Sequence, residues 1–178
     1  MTHVHRSLFA ALAVALLVAP AALAEETSVT ITDSHLCCGN CYKAAEKAVK
    51  SVAGASIEFN KGAKTMTVTA ADVPTAQKAL AALAEAGFYG KTGDSKVAFK
   101  DEAKLPAGKI KAATVTDVHN CCGKCGKAIT EALGKVDGLD KNTVAGKATT
   151  FKVTGNFDAK ALLAALRDAG YNATIKAE

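Results

Sequence analysis

The chain has no tryptophan, three tyrosines and six phenylalanines, so aromatics make up 5% of its 178 residues. Nucleic-acid surfaces ask for a clustered basic stripe, often with interleaved aromatics. Here the net charge of +5 comes from lysines dispersed among acids, and that function class is excluded. There is also no Ser-His-Asp arrangement, no carboxylate pair beside a histidine and no phosphate-cradling glycine loop, so no enzymatic activity is expected. Long apolar runs are missing after the first two dozen residues, which leaves no segment to carry the mature chain through a bilayer. Cysteine is absent from most of the sequence, and where it occurs it is crowded.

All six cysteines lie in two stretches: His35-Leu36-Cys37-Cys38-Gly39-Asn40-Cys41, and His119-Asn120-Cys121-Cys122-Gly123-Lys124-Cys125, offset by 84 positions. Both histidines outside the N-terminal segment sit there too. Thiolates and imidazoles are the ligands that suit soft ions such as Cu(I), Zn(II), Cd(II) and Hg(II). The clustering makes Cys37, Cys38, Cys41, Cys121, Cys122, Cys125, His35 and His119 the candidate metal ligands.

The N-terminus carries Arg6, an almost wholly apolar run from Leu8 to Ala19, and Ala22-Leu23-Ala24 as a small-x-small cleavage site. That pattern predicts a secretory signal peptide over 1–24, hence a periplasmic or secreted protein, and removes His3 and His5 from the ligand count.

The cysteine motif belongs to a longer repeat. Thr30-Ile31-Thr32-Asp33 matches Thr114-Val115-Thr116-Asp117, and Ala86-Gly87-Phe88 matches Ala169-Gly170-Tyr171. Asp101 to Gly108, charged and holding Pro106, has the composition of a linker. The chain therefore divides into a first domain at 25–100, a linker at 101–108 and a second domain at 109–178. Each repeat reads strand, helix, strand, strand, helix, strand. Cys41, Ala44, Ala45, Ala48, Val49 and Val52 recur at helical spacing, as do Cys125, Ala128, Ile129, Ala132, Leu133 and Val136. The second helix of each repeat is expected to start at Asp72 or Asn156 as N-cap. The last strands are expected over Phe88–Lys91 and Tyr171–Lys176, and the first strand of the second hairpin over Leu139–Val144. This order is an α+β fold: two tandem ferredoxin-like βαββαβ domains, each an antiparallel sheet with both helices on one face.

The placement puts Cys38 and Cys122 at helix starts and Cys41 and Cys125 in the first turns. Free N–H groups and the positive end of the helix dipole lower thiol pKa values there. Asp33 and Asp117 read as strand-end turn residues.

With these residues in view, each repeat resembles the heavy-metal-associated domain, the βαββαβ module of copper chaperones and metal-ATPase tails. That family's CxxC pair falls on Cys38/Cys41 and Cys122/Cys125. Its glycine-aromatic loop, which lies beside the metal loop, falls on Gly87-Phe88 and Gly170-Tyr171. Leu36 and Asn120 stand at the family's packing methionine, His35 and His119 at its glycine. The resemblance implies a protein that sequesters or transfers a thiophilic ion, with a metal-transport or acceptor protein as partner, and the signal-like segment makes that protein an exported one. The extra cysteine and histidine open three- and four-ligand sites beside the family's two-coordinate Cu(I) site. The alternative reading of the same residues is a periplasmic thiol–disulfide redox protein using the CxxC pairs. Thioredoxin-like enzymes set a cis-proline opposite that motif, and Pro74 and Pro106 are expected at a helix start and in the linker instead.

Overall fold

The computed structural model describes residues 26–101 and 104–178; the expected signal peptide lies outside them. In the first repeat, β1 (Thr27–Ile31) leads into α1 (Gly39–Lys50), then β2 (Ala55–Asn60), β3 (Thr65–Ala70) and α2 (Val73–Glu85). In the second, β4 (Lys109–Thr116) is followed by α3 (Gly123–Leu133), β5 (Leu139–Asn142), β6 (Phe151–Asp158), α4 (Ala159–Asp168) and β7 (Thr174–Ala177).

Both sheets are antiparallel. The first runs β1-β3-β2 and the second β5-β6-β4-β7, the strand order of a ferredoxin-like domain. Alternation sets the register. Val29 faces Val68 and Ile31 faces Met66 across β1 and β3, all four buried, while Thr30 and Thr67 share a hydroxyl contact on the other face. Cys41, Ala45 and Val49 of α1, spaced by four, are fully buried against this sheet; Ile129, Leu133 and Cys125 do the same for α3. Burying such a stripe gives a short helix most of its stability.

Asp72 caps α2 as expected, accepting from the Thr75 N–H at 2.7 Å, with Pro74 in the first turn. In the second repeat the expected cap at Asn156 is corrected: β6 continues through Phe157, paired with Ile110, and Asp158 accepts from the Lys160 and Ala161 N–H groups. The strand runs on because Phe157 is fully buried, and Gly155, at φ 154°, lies in the register shift of β6 against β4, between the pairs Ile110/Phe157 and Ala112/Thr154. The expected strand Phe88–Lys91 is likewise absent as a strand. It is reduced to two isolated bridges, Lys91 to Thr32 and Phe88 to Tyr171. The expected Tyr171–Lys176 strand begins only at Thr174, and β5 stops at Asn142, two residues short of Val144.

The Phe88–Tyr171 bridge joins one repeat to the other. The Asn172 N–H donates to the Gly87 carbonyl at 3.0 Å and the Tyr89 N–H to the Gly170 carbonyl at 3.1 Å. Arg167 of α4 lies over the Tyr89 ring and reaches Asp101 at 3.0 Å. The repeats are thus docked through their glycine-aromatic loops about a pseudo-two-fold relation. Among the described residues no helix is long and apolar enough to cross a membrane.

Candidate metal centre

The two cysteine loops leave their strands through Asp33 (φ 58°) and Asp117 (φ 64°), left-handed positions that aspartate tolerates and that turn the chain toward the helix start. Behind them the repeats differ. Leu36 is buried as an apolar plug, whereas Asn120, also buried, donates to the Ala145 and Ala148 carbonyls at 2.8 and 3.0 Å. The asparagine therefore pins the turn between β5 and β6, a role its position alone did not suggest.

Gly87 and Gly170 are held at φ 84° and 85°, and a Cβ on either would collide with backbone of the opposite loop, around His119 for Gly87 and around His35 for Gly170. Each glycine-aromatic loop thus lies against the cysteine loop of the other repeat. His35 stacks on Tyr171 at 4.6 Å between ring centroids, and His119 on Phe88 at 4.4 Å. Tyr171 also donates from its hydroxyl to the Cys125 carbonyl at 3.3 Å, so it touches both motifs.

This docking brings all six sulfurs together. Within the first motif Cys41 Sγ lies 3.7 Å from Cys37 and 3.8 Å from Cys38; within the second, Cys125 Sγ lies 3.6 Å from Cys121 and 3.7 Å from Cys122. Across the interface Cys37 is 3.6 Å from both Cys122 and Cys125, and Cys121 is 3.5 Å from Cys38 and 3.7 Å from Cys41. The pairs Cys37/Cys38, Cys121/Cys122, Cys38/Cys122 and Cys41/Cys125 also close within 4.8 Å. These twelve approaches give every sulfur four near neighbours and leave three pairs over, Cys37/Cys121, Cys38/Cys125 and Cys41/Cys122. That is the connectivity of an octahedron. All six thiols are free.

The electrostatics are patterned. Cys38 and Cys122 are the N-caps of α1 and α3, with extended backbone at φ −158°. The N–H of Cys41 lowers the Cys38 pKa, and the N–H of Cys125 brings Cys122 down to about 6. Cys37 and Cys121 shift strongly the other way, through burial first and then through hydrogen bonds with neighbouring sulfurs. Burial also raises Cys41.

Burial lowers both histidines, His35 to about 4, so both imidazoles are neutral at physiological pH. Their Nε2 atoms are buried without a partner. A ring nitrogen of His119 lies within 4.8 Å of the Cys41, Cys121 and Cys125 sulfurs, and one of His35 within the same distance of Cys37 and Cys125. Neutral imidazoles, free thiols and unpartnered buried nitrogens fit a soft or borderline ion. A cleft of about 590 Å³, lined by His35, Cys37, Lys64, Lys91 and Arg167, opens to one side.

The profile of the heavy-metal-associated domain matches residues 115–172, which carry this geometry from β4 through Asn172. The second repeat is a heavy-metal-associated domain. The first repeat has the same strand and helix order and the same loop as this heavy-metal-associated domain, with its fourth strand reduced to the Lys91 bridge. Among solved structures, the N-terminal soluble domains of Bacillus subtilis CopA are 21% identical, with 86% of this chain and 96% of that chain covered at a TM-score of 0.33. The water-soluble region of the P-type ATPase CopA from the same organism gives 20%, 86%, 93% and 0.31. The first two RRM domains of the yeast poly(U)-binding protein give 12%, 85%, 98% and 0.27. No curated protein matches the chain.

Proposed function

We propose that this is an exported protein that sequesters a thiophilic metal ion and hands it on, using one site built jointly by both H-x-C-C-G-x-C loops. The observation that carries the reading is the meeting of six unbonded sulfurs from two repeats, spaced 3.5 to 3.8 Å along the closest pairs. The ligands are the six cysteines, with His35 and His119 available to an ion that wants nitrogen. Cu(I) and Zn(II) lead the candidate cargo, with Hg(II) and Cd(II) behind.

Transfer runs by ligand exchange. Cys37, Cys38, Cys121 and Cys122 are partly exposed, while Cys41 and Cys125 are sealed. An acceptor thiolate adds to the ion from the exposed side as one of the outer sulfurs leaves, and the sealed pair holds on until last. A dithiol redox device asks for one isolated sulfur pair; here each sulfur has several others at comparable range, which favours shared coordination. Export rests on the signal-like segment at 1–24, and cell fractionation tests it: recovery of the protein from the cytoplasm alone contradicts it.

Calorimetric titration of the reduced protein with Cu(I), Zn(II) and Hg(II) tests the function. The expected result is binding of at least one of these far tighter than millimolar. Failure of all three contradicts metal handling.

A further inference from the structure

We propose that the site takes four Cu(I) ions as a single thiolate-bridged cluster, each ion on a three-sulfur face of the sulfur octahedron. This rests on the metal-handling reading and goes further, to the oxidation state, number and arrangement of the ions.

The connectivity decides it. Any four of these sulfurs include one of the three left-over pairs, so the twelve close approaches join no four of them as mutual neighbours. The close approaches therefore assemble no tetrahedral all-sulfur site of the kind a structural Zn(II) takes. What the sulfurs offer by themselves is triangles. Trigonal thiolate coordination is suited to Cu(I), a soft monovalent ion. Four non-adjacent faces use the six sulfurs evenly: Cys37/Cys38/Cys41, Cys37/Cys122/Cys125, Cys38/Cys121/Cys122 and Cys41/Cys121/Cys125. On that set every sulfur bridges two ions. The pseudo-two-fold relation exchanges this set with the four remaining faces, so either set serves.

Dimensions agree. A metal–sulfur bond of roughly 2.3 Å in a trigonal plane needs sulfurs about 4 Å apart. The closest edges are 3.5 to 3.8 Å and the others fall within 4.8 Å. The cluster also explains the third cysteine. Cys37 and Cys121 belong to no CxxC pair, yet each is an octahedron corner making two of its close approaches to the other repeat.

Loading is an acid–base event with no electron transfer. Copper enters and stays as Cu(I), and each sulfur still protonated releases its proton to solvent. Six thiolates and four monovalent ions leave roughly two net negative charges on the core. The N-termini of α1 and α3 both face it, and their dipoles favour negative charge. Lys64, Lys91 and Arg167 line the cleft beside Cys37. A divalent ion would instead draw on imidazole, for instance Cys41, Cys121, Cys125 and His119 together, and so fewer ions would fit.

The test is native mass spectrometry of the reduced full chain titrated anaerobically with Cu(I), with X-ray absorption at the copper edge. The expected spectrum is dominated by the metal-free and four-copper forms, with one-, two- and three-copper forms sparse. The expected absorption signal is three sulfurs per copper and a short copper–copper vector. Tight saturation at one or two ions per chain overturns the cluster while leaving metal handling intact; absence of binding tighter than millimolar removes both. Cys37→Ser and Cys121→Ser, each checked for unchanged circular dichroism, are expected to lose the four-copper form. Retention of four ions by both variants also overturns the proposal.

Discussion

Cys37 and Cys122 stand 3.6 Å apart, sulfur to sulfur, although 85 positions separate them in the chain. One belongs to no CxxC pair and lies in the loop before α1; the other caps α3. Their contact exists because each repeat's glycine-aromatic loop is docked on the opposite cysteine loop, so the joint site and the joint fold are one structural fact.

That docking is tested by Gly170→Ala. The residue sits at φ 85°, and the added Cβ would strike the backbone around His35. We expect a loss of about 1 to 3 kcal/mol in thermal unfolding from the strained conformation alone, and loosening of the first motif from the second. Gly108→Ala, also at positive φ but with open space around it, is expected to cost no more than the backbone strain. Equal effects on the sulfur cluster, read by thiol cross-linking between repeats, would argue against the docking.

The thiol pattern gives a labelling order. At pH 7 an alkylating reagent should modify Cys122 first, with Cys38 behind it, because N-terminal N–H groups stabilise both thiolates. Cys37 and Cys121, pushed strongly upward, should lag. Peptide mass mapping of partly alkylated protein checks this; early modification of Cys121 would contradict it.

Stability of the metal-free protein should fall with acid in two windows. The folded pKa of Cys122 is depressed from 9.0 to about 6. Its contribution is therefore fully present above about 9 and is lost as pH falls toward 6. His35 is depressed from 6.5 to about 4. The unfolded chain binds its proton first, so stability falls again as pH drops from about 6.5 toward 4. Denaturant titrations at stepped pH should show both declines; a midpoint flat from pH 9 to pH 4 would contradict them.

Asn120 is predicted to be structural. Asn120→Leu imitates Leu36 of the first repeat but strands the Ala145 and Ala148 carbonyls. We expect a cost of about 1 to 3 kcal/mol, read as a lowered melting temperature, with the far-UV spectrum retained. A variant as stable as the parent would show that the plug, not the hydrogen bonds, is what the position needs.

Much of this was legible in the chain. The four helices follow from apolar spacing at Cys41, Ala45 and Val49, and from a cap such as Asp72; the six long-range cysteines announced themselves by crowding. What was not legible had non-local causes. Asn156 looked like a cap because asparagine favours that place, but burial of Phe157 against the β4–β6 pairing carried the strand past it. Phe88 looked like strand because it is an aromatic after a helix-ending glycine; it is held instead by Tyr171 of the other repeat. The sequence placed Gly87-Phe88 beside a metal loop by resemblance, but nothing in a single repeat says that the loop belongs to its twin. Docking of two copies is a surface property, and local periodicity does not encode it.

The most direct test of a joint site is a metal titration of the double variant Cys38→Ser/Cys41→Ser, which leaves the second motif untouched. A shared site predicts that the ions are lost well beyond the first motif's share, with both the number bound and the affinity of those remaining reduced. Retention of half the ions at unaltered affinity would contradict it and return the protein to two independent loops.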